Sequence, residues 1–347
     1  MENIINPRYL LDYRKQELTL ICDCAKEGQS LCFVGIAGTG KSNITNFLHS
    51  DPYGYKSHYL GERAATIHFP VVDGNTWDGT PVGLWKLLLA AINESTRHLA
   101  QPEADAKLIQ ISEDQKAFSE LKTQVDWVCQ QLDQQVMFIL DDFDKVIQKG
   151  PLPMLEQLNA LRSSGNRGKL SYLIFTKKLP HVLGRAHSLR GASKFYDLFS
   201  HHIYALGLYS HDDARQMVVH LNELAGKPLT SREYPLIERL AGGHARLIKI
   251  IFELWRSQPS IEGDPVEYFV QQPDVRAECE RILNGLHDDE QAVVGRVALD
   301  QQSEEDRAII DHLVRRGLLQ ENGKLTWFSP VFAEYMRTRA TTDSEGN

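Results

Sequence analysis

The chain has 347 residues, 42% of them apolar and 24% charged, with a net charge of −8 and a sequence pI near 5.9. That length allows two or three compact units, and the composition is that of an ordinary soluble globular protein. The acidic balance argues against a protein whose main task is coating nucleic acid.

Five cysteines (Cys22, Cys24, Cys32, Cys129 and Cys279) form no zinc-type paired spacing, and their odd number suits a reducing interior. The start, "MENIINPRYLLDYRKQE", has no signal-peptide core. The later apolar runs "LWKLLLAAI" and "LIKIIFELW" are too short to span a membrane. The expectation is a cytoplasmic protein.

In chain order, residues 8–27 read as a helix on Leu10, Leu11, Leu18 and Ile21, ended by Gly28. "SLCFVG" (30–35) reads as a short buried strand leading into "IAGTGKS", and "NITNFLHS" continues as a helix. A second strand is expected at 64–72, then a helix from Val82 to about Ser95, then a polar connection at 99–115. Phe118, Leu121, Val125, Val128 and Leu132 mark one face of a further helix. "QQVMFILDDFD" (134–144) carries a run suited to a central parallel strand, followed by a helix near 153–163 and a strand at 170–178. This alternation implies a parallel sheet covered by helices on both sides. Helices follow at 211–225, 231–241 and 243–256. From about 265 to 340 the pattern is helices, a turn at 321–323 and a closing helix, a helix-and-hairpin arrangement of winged-helix type, and "TTDSEGN" reads as a disordered tail.

The glycine run fixes the chemistry. Gly35-x-x-x-x-Gly40-Lys41-Ser42 is a phosphate-binding pattern: Gly35, Ile36, Ala37, Gly38, Thr39 and Gly40 supply backbone N–H groups around an anion at the start of a helix that continues through Asn43. Lys41 supplies a mobile positive charge for the phosphates, and the Ser42 hydroxyl can ligate Mg²⁺. Asp141 and Asp142 end the 136–140 strand, where parallel sheets bind ligands. Asp141 is the candidate Mg²⁺ residue and Asp142 the candidate general base. Thr176, at the end of the next strand, would either contact the γ-phosphate or serve only as a turn residue. Arg246, in the first turn after the Gly242-Gly243 break, would either reach a phosphate or face solvent.

With "GIAGTGKS" and "VMFILDDFD" as Walker A and Walker B motifs, the chain resembles the P-loop NTPases of the additional-strand type. It is most similar to the group joining STAND signalling ATPases with origin-recognition AAA+ ATPases. "DYRKQEL" resembles the element preceding the first strand in that group, which implies that Arg14 flanks the adenine. "FTKK" occupies the sensor 1 region with lysine where arginine is common. "AGGHAR" resembles a STAND Gly-x-Pro motif with Ala245 in place of proline, and also the Gly-Asp-Ala-Arg run that carries a sensor 2 arginine, matched by Arg246. The resemblance implies an α/β three-layer fold with sheet order 5-1-4-3-2, a nucleotide-binding domain at 1–205, a helical lid at 206–262 and a winged-helix domain at 263–340. It also implies ATP or ADP as ligand with Mg²⁺, and an arginine finger from a neighbouring subunit, for which Arg162 and Arg167 are candidates.

Three functions fit these residues. The first is a STAND-type switch that hydrolyses ATP slowly, self-associates with nucleotide and signals to a protein partner. The second is a DNA-binding ATPase using the winged helix on duplex DNA, for which Arg315, Arg316, Lys324, Arg337 and Arg339 are available amid more numerous acidic residues. The third is a scaffold that holds nucleotide with little turnover, because Asp142 is shorter than the glutamate common in fast motors.

Overall fold

Three apolar runs too short for buried helices form the centre of a sheet: β1 (Leu31–Val34), β4 (Gln135–Asp141) and β5 (Leu170–Thr176), buried almost throughout. In the computed structural model, which describes residues 9–51, 54–99, 112–163, 165–258, 261–321 and 323–345, these join β2 (Ile67–His68), β3 (Val71–Asp73) and β6 (Ile203–Ala205). The order is β2-β4-β5-β1-β6, with β3 also paired to β4, and the β1–β5, β4–β5, β2–β4 and β3–β4 pairs are parallel. With β2 and β3 sharing one position, this is the 5-1-4-3-2 arrangement that the resemblance implies.

The chain divides into two compact units. The sheet unit comprises Lys15–Val34 and Lys41–Tyr204; the helical unit comprises the segment ending at Arg14, Gly35–Gly40 and the segment from Ala205 onward.

In the sheet unit, α1 (Lys15–Glu27), α2 (Lys41–His49), α3 (Tyr55–Leu60), α4 (Pro81–Ser95), α5 (Glu113–Asp126), α6 (Asp144–Lys149) and α7 (Leu152–Ser163) accompany the strands. Short helices α8 to α10 (Pro180–Leu183, Leu189–Ala192 and Lys194–Asp197) precede β6. Local chemistry sets several boundaries. Thr80 caps α4 with Pro81 in its first turn, and Ser112 with Gln115 forms a capping box on α5. Trp85, Leu88, Leu121, Val125, Phe138, Leu140, Tyr172 and Phe195 belong to one continuous buried cluster. Each such side chain contributes about 1.5–3 kcal/mol on burial.

Some expected boundaries move. The helix expected from residue 8 starts at Lys15, because Arg14 takes a positive φ of 52°. The strand expected at 64–72 is split: a 3₁₀ turn covers Gly61–Ala65, and Pro70, which has no N–H, separates β2 from β3. The α5 helix passes at Trp127–Gln131 into a π-helical turn. The strand expected to reach 178 stops at Thr176, where the Asp144 carboxylate captures the next two backbone amides, Lys177 at 2.9 Å and Lys178 at 3.2 Å. Most of the 99–115 connection falls outside the described residues, as does Asn322 of the expected turn.

In the helical unit, α11 (His211–Leu224), α12 (Tyr234–Ala241) and α13 (Ala245–Ser257) pack against one another. They are followed by α14 (Pro265–Val270), α15 (Pro273–Asn284), α16 (Asp288–Ala298), α17 (Arg307–Arg315), the antiparallel hairpin of β7 (Leu319–Glu321) and β8 (Leu325–Trp327), and α18 (Pro330–Glu345). The last helix extends into the span expected to be a disordered tail, and residues 346–347 lie outside the described ones. No helix among the described residues is long and apolar enough to cross a membrane. All five cysteines are free and buried; burial raises the Cys24 thiol to about 11 and the other four to about 12.

Candidate functional site

The sheet unit gathers its charged residues at the ends of its central strands. Lys41 opens α2, its side chain only 9% exposed, and its Nζ donates to Asp142 Oδ1 at 3.0 Å. Asp142 lies just beyond β4 with a φ of 44°, a left-handed conformation that ends the strand. Lys177 Nζ stands 3.2 Å from the same Asp142 oxygen, and Asn75 Nδ2 donates to Oδ2 at 3.0 Å. Burial alone would raise the Asp142 carboxyl, but Lys41, Asn75 and Lys177 outweigh it and hold it down at about 2. Asp141 goes the other way. Burial raises it against the pull of Lys41, and the like charges of Asp142 and Asp73 add to the rise. The Asp142 N–H donates to Asp141 Oδ1 at 2.9 Å.

The Thr176 side chain is fully buried, with its hydroxyl 3.8 Å from Cys32 Sγ. The cation that the loop after β5 delivers to Asp142 is Lys177. Ser42 is exposed on the first turn of α2, and Asn43 is half-buried. Arg162, named as a finger candidate, donates through Nη2 to the Gly28 carbonyl at 3.1 Å, while Arg167 is exposed.

The helical unit contains the loop itself. Gly38 and Gly40 take positive φ angles of 81° and 89°, whereas Ala37 and Thr39 do not. A Cβ on Gly38 would lie 2.4 Å from His244 Cε1, and one on Gly40 would lie 2.1 Å from the Tyr209 hydroxyl. Only glycine fits at either place. Arg14, expected beside an adenine, is 2% exposed, and its guanidinium serves backbone: Nη2 donates to the carbonyls of Thr39 at 2.7 Å and Gly207 at 3.1 Å. Its guanidinium also stacks over the Tyr209 ring, 4.5 Å from the centroid. The Arg246 N–H donates to the Gly38 carbonyl at 3.2 Å, while its side-chain Nε sits 3.1 Å from Glu278 Oε2. Arg281 holds the same carboxylate through Nε at 2.8 Å and Nη2 at 2.6 Å. Burial lowers the pKa of His244, the cap of α13, to about 4, with Arg281 and Arg246 adding to the effect.

Sequence reasoning picked out the loop, Lys41 and the paired aspartates. It missed Asn75, Asp144, Glu278 and His244. The one local sign was the placement of His244 directly after Gly242-Gly243, where a helix cap belongs. Of the cations considered for DNA, Arg316 is fully buried against Glu290 at 2.6 Å, and Arg337 is paired with Glu334 at 2.6 Å.

The parallel sheet with a glycine loop between β1 and α2 defines the class: the chain has the α/β P-loop NTPase fold. It resembles the structure of the Walker-type ATPase PABY2304 of Pyrococcus abyssi, with a TM-score of 0.56 and 13% identity over 94% of this chain and 96% of that one. Weaker likenesses are to Cdc6p from Pyrobaculum aerophilum (TM-score 0.48, 14% identity, covering 99% and 97%) and to the Aeropyrum pernix ORC2 protein in ADPNP–ADP complexes (0.47, 15%, covering 99% and 98%). The fold assignment rests on the first of these and on the sheet order. No protein-family model and no curated protein sequence matches the chain.

Proposed function

We propose that the chain is an ATP-dependent switch that binds Mg²⁺-ATP at the Gly35–Ser42 run, hydrolyses it slowly and signals to a protein partner. The observation that carries this is the clasp in the sheet unit: two ammonium groups, Lys41 and Lys177, meet one carboxylate oxygen of Asp142 at 3.0 and 3.2 Å. Two cations converging on a partly exposed anion can exchange it for another anion, and a phosphate chain is the anion that the glycine run leading into Lys41 is built to take.

The residues fit the expected cofactor. Asp141 is a buried carboxylate raised by burial and by neighbouring negative charge, a place that a cation would relieve. Ser42 and Asp141 offer hard oxygen donors, and among the described residues no cluster of three or more His, Cys, Asp or Glu would hold a metal alone. That suits Mg²⁺, whose remaining ligands are ordinarily water and phosphate. When bound, Mg²⁺ would neutralise charge developing on the phosphates.

The chain's own residues supply the rest. Lys41 would hold the phosphates, and Asn75 fixes the Asp142 carboxylate in place. Asp142 at about 2 is a poor base while Lys41 is paired to it. Its basicity recovers when Lys41 turns to phosphate, which makes the base conditional on occupancy and accords with slow turnover. Five buried free thiols accord with work in a reducing cytoplasm. Full burial of Arg316 against Glu290 removes one of the five cations considered for duplex DNA.

Calorimetry with ATP and ADP, followed by phosphate release from wild type and Asp142→Asn, tests the proposal. Binding with turnover that drops on the order of 100-fold in the variant is expected. Binding with no turnover in either would favour the nucleotide-holding scaffold, and no binding would end the nucleotide reading. Light scattering with ADP against a non-hydrolysable ATP analogue, partner protein present, reads the self-association. An unchanged monomer counts against the switch.

A further inference from the structure

The phosphate loop is held from outside at three consecutive carbonyls, all within the helical unit. The Ala37 carbonyl accepts from His244 Nε2 at 2.7 Å. The Gly38 carbonyl accepts from the Arg246 N–H at 3.2 Å. The Thr39 carbonyl accepts from Arg14 Nη2 at 2.7 Å. In a planar trans peptide the C=O of one residue and the N–H of the next point in opposite directions. Fixing those carbonyls therefore turns the N–H groups of Gly38, Thr39 and Gly40 away from His244, the start of α13 and Arg14. The alternation of positive φ at Gly38 and Gly40 with negative φ at Ala37 and Thr39 is the backbone signature of an anion-binding nest. None of the three outside donors belongs to the glycine motif; His244 lies 207 residues beyond Ala37 and Arg246 lies beside it, whereas Arg14 lies 25 residues before Thr39.

His244 is the member whose role can be isolated. Its Nδ1 accepts from the Leu247 N–H at 3.2 Å, capping α13, which leaves the ring proton on Nε2 to be donated to Ala37. We infer that His244 is a positioning residue for phosphate binding, its Nε2–H holding the Ala37 carbonyl outward and thereby aiming the Gly38 amide at the phosphate chain. This rests on the nucleotide reading above. Full burial keeps the ring neutral at pH 7, so the single Nε2 proton and the Nδ1 acceptor coexist. Arg14 and Arg246 reinforce the same orientation, but the first carries several other backbone bonds and the second acts through its main chain.

Two substitutions separate the cap from the donor. Asparagine is among the best helix caps but is too short to reach Ala37, whereas the amide nitrogen of glutamine reaches about as far as Nε2. Full-length wild type, His244→Asn and His244→Gln are titrated by calorimetry with ATP, ADP and inorganic tripolyphosphate, alongside thermal melts. The expected result is about tenfold weaker binding of all three ligands to His244→Asn, the loss of one positioned hydrogen bond, at a near-unchanged melting midpoint. His244→Gln recovers most of that loss. Unchanged affinity in His244→Asn overturns the inference, as does a loss confined to the nucleotides or one that glutamine fails to restore. Wild type that binds none of the three defeats the nucleotide reading itself. Should His244→Asn not fold, the ¹⁵N-histidine spectrum of wild type gives the answer without substitution. A protonated Nε2 that shifts on adding tripolyphosphate supports the role, and a proton on Nδ1 or an Nε2 signal indifferent to tripolyphosphate overturns it.

Discussion

Asp142 and Glu278 present the same chemistry in opposite settings. Each is a carboxylate between two cationic side chains: Lys41 and Lys177 for the first, Arg246 and Arg281 for the second. Asp142 keeps 25% of its side chain exposed and is gripped by flexible lysines, whereas Glu278 is 2% exposed and is gripped partly by the forked guanidinium of Arg281. Ion pairs near water are weak and readily exchanged, while a buried carboxylate must keep its partners or leave an uncompensated charge. The first arrangement suits a ligand site, the second a fixed support.

The comparison can be broken in four places. Lys41→Ala should weaken ATP binding about 100- to 1000-fold, some 3–4 kcal/mol, in calorimetry, with the melting curve little changed. A loss of stability with affinity intact would make the clasp structural. Glu278→Ala should cost about 3 kcal/mol in urea unfolding, the low end for a broken buried pair, because Arg246 and Arg281 are half-exposed and can turn to water. A neutral result would make Glu278 as dispensable as a surface partner.

Acid comes third. His244 is lowered from 6.5 to about 4 by burial, so the unfolded chain takes up a proton that the native state refuses. Stability is fully present above pH 6.5, falls as pH drops from there towards 4, and levels off below; between pH 7 and 5 the loss is about 2 kcal/mol. Urea melts at the two pH values measure it, and His244→Asn should flatten the difference. Asp142, held at about 2, adds a further loss only below the ordinary carboxylate range. The smallest effect is Lys177→Ala, expected to weaken ATP about fivefold, near 1 kcal/mol, since Lys177 shares Asp142 with a second cation. An effect equal to that of Lys41→Ala would make the two lysines equivalent.

Much of the sheet was legible because burial on both faces writes itself as an unbroken apolar run, as in Val136–Leu140 and Tyr172–Phe175. The three-residue β6 went unread: it is half-buried and too short to show a period. Arg14 hid the true start of α1, since a left-handed arginine inside an apolar-periodic stretch has no sequence signature. The site divides along the same line. The Gly-rich run and the Asp pair are local patterns. Asn75 reaches Asp142 across 67 positions and His244 reaches Ala37 across 207, and such partnerships are made only by folding.

The buried cysteines turn the division of the chain into something observable. Cys22, Cys24, Cys32 and Cys129 belong to the sheet unit and Cys279 to the helical unit. Thiols raised to about 11–12 are almost wholly protonated at neutral pH and closed to reagents, so alkylation must wait for local opening. Peptide-resolved mass spectrometry of a timed iodoacetamide reaction thus acts as two clocks in one polypeptide, and added ATP should slow whichever it braces.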